Sequence, residues 1–99
     1  VLGGAHRPTA VAADCDLLAT GVLEEARRMG LQPGRDVSVT GCDDVPAAEA
    51  AGLTTVRQPI REKGRLMGRM LLDPEFPQRR VVLPTELVVR ASTGPARTG

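Results

Sequence analysis

The stretch from Thr9 to Asp44 leaves few folds open to this chain. It begins with Thr9-Ala10-Val11-Ala12-Ala13, a short uncharged run of strand character that stops at Asp14-Cys15-Asp16. Leu17 to Met29 then repeats apolar residues at helical spacing, with Leu18, Val22, Ala26 and Met29 as the expected stripe toward a core. Asp14 or Asp16 can accept the free amide hydrogens of the first turn, while Arg27 and Arg28 lie in the last turn, where the helix dipole favours cations. Gly30 supplies the left-handed stop, Leu31 can fold back on the last turn, and Pro33 bars continuation. Val37-Ser38-Val39-Thr40-Gly41 is a second strand-like run, and it ends at another acidic tip, Cys42-Asp43-Asp44. Strand, helix and strand at these lengths predict an α/β fold built on a parallel βαβ unit with a right-handed crossover. Both acidic tips then lie at the carboxyl edge of one sheet, where open α/β sheets bind their ligands.

Beyond this unit the pattern stays mixed. Pro46 to Ala51 is Ala-rich and predicts one or two helical turns, with Asp44 placed to cap them. Leu53-Thr54-Thr55-Val56 predicts a third strand, which Arg57-Gln58-Pro59 interrupts. Proline suits the first position of a helix, and Ile60 to Leu72 predicts a second long one. Ile60, Met67 and Leu71 form one part of its apolar face, Leu66 and Met70 another. Gly64 and Gly68 would each cost about 1 kcal/mol relative to Ala in an exposed helix, so close packing against another element is expected there. Arg80 to Leu83 and Glu86 to Val89 predict two strand segments separated by Pro84-Thr85. Proline cannot donate to a ladder, so the chain is expected to change sheet or domain at that point.

Composition narrows the function more than the fold. The 99 residues suffice for one domain, and Phe76 is the single aromatic residue, so the core must be aliphatic. Thirteen basic and twelve acidic residues leave a formal charge of +1 with no basic stripe, which argues against nucleic acid bound by this segment itself. Twelve of the thirteen cations are Arg, Lys63 being the exception. Cys15 and Cys42 fit a reduced, cytoplasmic protein better than a disulfide scaffold. No apolar run approaches the 18 residues that a membrane span needs. The chain opens on Val1-Leu2-Gly3-Gly4 without an initiator Met or a secretory signal, as expected of a segment of a longer protein. His6, the only histidine, is expected as an exposed loop residue.

The two tips carry the available chemistry. Asp14 and Asp16 after a strand resemble the acidic pair of aspartyl-nucleophile phosphotransfer enzymes, in which one carboxylate attacks phosphorus and the other moves protons. Such a site also needs a hydroxyl two residues on, a nearby lysine and a magnesium-binding acid, whereas Leu17-Leu18 follow here and Lys63 is remote in sequence. Asp43 and Asp44 would need four or more further oxygens to hold a hard cation. A carboxylate that accepts hydrogen bonds from ligand hydroxyls is the more economical reading. Cys15 and Cys42 with one distant His do not make a zinc site, and neither cofactor nor metal is expected.

Several runs together resemble one family. Pro8-Thr9-Ala10-Val11 and Asp16-Leu17-Leu18-Ala19-Thr20-Gly21 are similar to the "PTA…NDLMALG" signature of the LacI/GalR family of bacterial transcriptional regulators. Pro33-Gly34-Arg35-Asp36-Val37-Ser38-Val39, Leu53-Thr54-Thr55-Val56-Arg57-Gln58-Pro59 and Leu83-Pro84-Thr85-Glu86-Leu87-Val88-Val89-Arg90 resemble three further signatures in the same order. The resemblance implies a fragment of a two-lobed, periplasmic-binding-protein-like type I effector domain, with DNA bound through a helix-turn-helix headpiece absent from this chain. Residues 9–56 and 85–91 would belong to the C-terminal lobe, and 57–84 would cross the hinge into the N-terminal lobe. Asp43 would hold hydroxyls or base nitrogens of a sugar or nucleoside-like effector. Cys15 would stand where an Asn is usual and Cys42 where a Phe or Tyr is usual, with Asp16 beside them. Thr20, Glu24, Ala47 and Ala50 would face the partner of a homodimer.

Overall fold

β1 (Ala10–Ala12) and β2 (Ser38–Thr40) run parallel, with Val11 opposite Val39, and α1 (Asp16–Arg28) makes the crossover between them. These assignments come from a computed structural model, which describes residues 7–77 and 80–96. His6 lies outside the described residues. α2 (Pro46–Ala50) leads into β3 (Thr55–Arg57), which continues the parallel direction through single bridges from Thr40 to Thr54 and from Asp43 to Arg57. α3 (Ile60–Leu72) follows, and β4 (Glu86–Val88) returns antiparallel to β3. The predicted βαβ unit is therefore present, with an antiparallel fourth strand.

The core is aliphatic, as one aromatic residue requires. Leu23, Ala19 and Ala26 of α1 pack on Val37, Val39, Leu53 and Ala48, all buried, with Val11, Val22 and Leu31 around them. α1 ends as its residues dictate: Gly30 adopts φ +80°, and the Leu31 amide donates to the Ala26 carbonyl at 2.8 Å. This left-handed closure brings Leu31 back onto the core. Its starting turn differs from expectation. Neither Asp14 nor Asp16 caps it, because Cys15 is the N-cap residue and makes no side-chain cap bond. The buried face is Asp16, Ala19, Leu23 and Ala26, while Leu18 is 58% exposed. The stripe through Leu18, Val22, Ala26 and Met29 is thus corrected by a rotation of the helix. An inward-facing Asp16, held by polar bonds, sets that rotation.

The turn after β4 is tied firmly to the sheet. The buried Ser92 hydroxyl donates to the Val39 carbonyl at 2.6 Å and accepts from the Thr54 amide at 2.8 Å. The Val39 amide in turn donates to the Ser92 carbonyl at 2.8 Å. α3 is the opposite case, with no buried residue at all. Met67, Leu71 and Leu72 are 61%, 82% and 84% exposed. A Cβ at Gly64 or Gly68 would meet nothing within 4 Å, so the close packing expected at these glycines is not made by the described residues. The predicted strand 80–83 is likewise an unpaired segment, since no neighbouring strand among the described residues offers it a ladder. It lies against α3 across an apolar groove of about 290 Å³. The molecule is correspondingly long, 58 × 23 × 20 Å, with a radius of gyration of 17.4 Å. A compact chain of 100 residues would have about 13 Å.

Candidate functional site

The carboxyl ends of β1, β2 and β3 meet at one edge. The first helical amide of α1, at Asp16, donates to the Cys42 carbonyl at 3.0 Å, so the two acidic tips are directly joined. The Asp43 amide donates to the Val56 carbonyl at 2.8 Å and fastens the second tip to β3. Cys15, Cys42 and Asp43 are therefore gathered around a common rim, each half-buried, with both thiols free.

The four carboxylates at these tips do four different things. Asp16 is 1% exposed and points inward. One of its oxygens accepts from the Thr55 hydroxyl at 2.6 Å and the other from the Val45 amide at 2.8 Å. It braces β3 and the start of α2 from within, which corrects its expected place among groups that touch a ligand. Asp14 is exposed. Asp44 does not cap α2; it accepts from Arg57 Nε at 2.7 Å and from Arg90 Nη1 at 2.9 Å. Hydrogen bonds from Arg57 and then Arg90 hold the Asp44 carboxyl below the usual carboxylate range, and Asp44 raises Arg57 in return. Arg90 also donates to the Leu53 carbonyl at 3.0 Å.

Asp43 is the remaining one. Its backbone has φ +115°, and Asp44 follows at +58°, both rare for a residue with a side chain. Such strain costs on the order of 1–3 kcal/mol, and it concentrates at functional sites. Asp43 Oδ1 accepts from Gln58 Nε2 at 2.8 Å, while Oδ2 has no partner among the described residues. The same Gln58 amide nitrogen lies 3.2 Å from Cys42 Sγ, and Gln58 Oε1 accepts from Lys63 Nζ at 3.0 Å. Gln58, Arg57 and Arg90 escaped the sequence reading because their partners are distant in the chain. Only the Arg57-Gln58-Pro59 break drew notice to that stretch.

Residues 2–93 match the model of the periplasmic binding protein-like domain. The chain belongs to this family. Its relatives are LacI-type regulators, and its fold is a part of their effector-binding domain. It is 42% identical over 99 residues to the HTH-type transcriptional regulator DegA of Bacillus subtilis, an alignment covering 94% of this chain and 29% of DegA. A LacI family transcriptional regulator from Enterococcus faecium, solved with bound ribose, superposes with a TM-score of 0.80 at 33% identity. That match covers 97% of this chain and 37% of the regulator. The lac repressor dimer bound to operator and an anti-inducer matches with a TM-score of 0.78 at 32% identity, over 89% of this chain and 32% of that one. The chain thus spans about a third of the length of its relatives.

Within this periplasmic binding protein-like chain the phosphotransfer alternative loses one of its two carboxylates. Asp16 is sealed beneath Thr55 and Val45 and cannot exchange protons with a substrate beside Asp14. Among the described residues no three His, Cys, Asp or Glu side chains are arranged to hold a metal ion, and no helix is long and apolar enough to cross a membrane. Of the residues expected at a partner surface, Glu24, Ala47 and Ala50 are exposed. Thr20 is half-buried, its hydroxyl donating to the Asp16 carbonyl at 2.6 Å. Leu17, 81% exposed on the same helix, was not anticipated there.

Proposed function

We propose that this chain is the effector-sensing portion of a LacI-type transcriptional regulator that binds a small polar molecule, a sugar or nucleoside, at the carboxyl edge. Asp43 carries the reading: a half-buried carboxylate on strained backbone at a strand tip, with one oxygen open to accept a ligand hydroxyl or base nitrogen. Cys15 and Cys42 line the rim beside it. Residues 9–56 and 85–91 form one lobe, and 57–84 cross the hinge and contribute α3 and the 80–83 segment to the other. The ligand changes the angle between lobes and so biases the affinity of a DNA-binding headpiece outside this chain, a population shift between two states. The regulator works in the cytoplasm as a homodimer, with Thr20, Glu24, Ala47 and Ala50 at the partner surface. The ribose in the Enterococcus faecium relative and the operator in the lac repressor complex support the ligand class and the target.

Calorimetric titration of the full-length protein with a panel of sugars and nucleosides tests this. At least one should bind, and Asp43→Asn should weaken it at least tenfold, in line with the loss of a charge-assisted hydrogen bond. Binding that Asp43→Asn leaves intact would move the site elsewhere.

A further inference from the structure

Lys63 is the one lysine among thirteen basic residues, and its surroundings set it apart from the arginines. Every ion pair among the described residues is made by Arg: Arg28 with Glu25, Arg57 with Asp44 and Glu86, Arg65 with Glu62, Arg90 with Asp44. Among the described residues Lys63 has no acidic partner. Among the described residues its one side-chain hydrogen bond goes to the neutral Gln58 Oε1 at 3.0 Å, and the other two ammonium donors face solvent, where a ligand can reach them. Lys63 also lies near the beginning of α3, where the helix dipole disfavours a cation. Its neighbour Glu62 is engaged with Arg65. None of the other described residues of α3 gives this charge a partner.

What lies beyond Gln58 does. Gln58 Nε2 donates to Asp43 Oδ1 at 2.8 Å, so ammonium, amide and carboxylate stand in series along the edge where the ligand is placed. One end of this series offers donors of positive charge and the other an acceptor of negative charge. Among the described residues, Lys63 is also the only charged one on the wall of the apolar groove between α3 and residues 81–85. A compact ammonium on a flexible stem suits a single oxyanion. A neutral sugar would satisfy Asp43 and leave Lys63 unmatched, and a cationic base would be repelled by it.

We infer that the effector is a polyhydroxy anion, a sugar acid or sugar phosphate, whose hydroxyl donates to Asp43 while its acidic group accepts from Lys63. The inference rests on the reading of this edge as the effector site and adds the charge of the ligand to it. Lys63 thereby sets specificity and fixes the direction in which the ligand lies.

The test uses the full-length regulator and isothermal titration with matched triplets: ribose, ribonate and ribose 5-phosphate; glucose, gluconate and glucose 6-phosphate. At least one anion should bind ten or more times tighter than its neutral parent, with the gap narrowing as salt is raised. Whether the carboxylate or the phosphate wins identifies the acidic group. Lys63→Met should close the gap, and Lys63→Arg should restore part of it. The side chain is exposed, so the thermal midpoint of the unliganded Lys63→Met protein should be unchanged. Equal binding of neutral and anionic members, or a gap that survives Lys63→Met, overturns the inference and leaves the proposed function standing. Binding of no member overturns the inference, and the sugar and nucleoside panel with Asp43→Asn then decides the proposed function separately.

Discussion

Adjacent acids in this chain have opposite fates, and each fate follows from where the backbone aims the side chain. Asp16 begins α1 with its carboxylate turned inward, where it gives the Thr55 hydroxyl and the Val45 amide their only acceptor among the described residues. Removing it leaves the buried Thr55 hydroxyl and the partly buried Val45 amide unsatisfied, and hydrogen bonds to a charged group are worth about 1.5–3 kcal/mol each. Asp16→Ala is therefore expected to cost about 3 kcal/mol of stability, read from urea unfolding, whereas Asp14→Ala at its exposed neighbour should cost under about 0.5 kcal/mol. Asp44 makes a pH-dependent contribution. Its folded carboxyl is held below the ordinary value by Arg57 and Arg90, so the unfolded state takes up a proton first on acidification. That contribution is complete above the unfolded value of about 3.9 and is lost as pH falls through the lower folded value. The difference in thermal midpoint between wild type and Asp44→Asn should hold from pH 7 to 5 and shrink below pH 4. A difference that grows toward acid would contradict the assignment of the two arginines to Asp44.

Among the elements, order was legible in the sequence and orientation was not. Gly30, Pro33, Pro46 and Pro59 mark element ends in ways that depend only on local backbone geometry: α1 ends just before Gly30, α2 begins at Pro46 and α3 begins just after Pro59. The joining of the two tips also followed from the parallel βαβ reading. The rotation of α1 escaped because a hydrophobic stripe assumes that the inward residues are apolar, and here the inward residue nearest the site is an acid. Strand 80–83 escaped for another reason: a strand needs a partner, and sequence pattern records only the propensity. Arg90 and Asp44 are 46 residues apart, a separation that leaves no local mark. Gly41 shows how close the βαβ unit is packed at the site. A Cβ there would fall 2.4 Å from Asp16 Oδ1 and 3.1 Å from Asp16 Cα. Gly41→Ala must push α1 off β2, and should lower the thermal midpoint and weaken effector binding together, since the Asp16 amide bonds the Cys42 carbonyl next door. A variant that loses neither would mean that the tips are more loosely joined than this geometry allows.

At the scale of the whole molecule the chain divides into a part with a core and a part without one. The first is the sheet with α1 and α2. The second is α3 and the 80–83 segment, which share an apolar groove and leave Leu71, Leu72 and Val82 each at least 80% exposed. Large exposed apolar faces of this kind mark surfaces that another body covers. In the proposed two-lobed regulator that body is the remainder of the second lobe. Leu71→Asp separates this from a face that stays in water. In the isolated 99-residue chain, a change at an 82% exposed position should alter stability by no more than about 0.5 kcal/mol. In the full-length protein the same change would place a carboxylate in an apolar interface and remove a buried Leu, together worth about 3 kcal/mol or more. Thermal denaturation of both proteins, each with and without Leu71→Asp, gives the comparison. Equal small effects in the two would leave α3 exposed in the regulator, and residues 57–84 would then have no second lobe to enter.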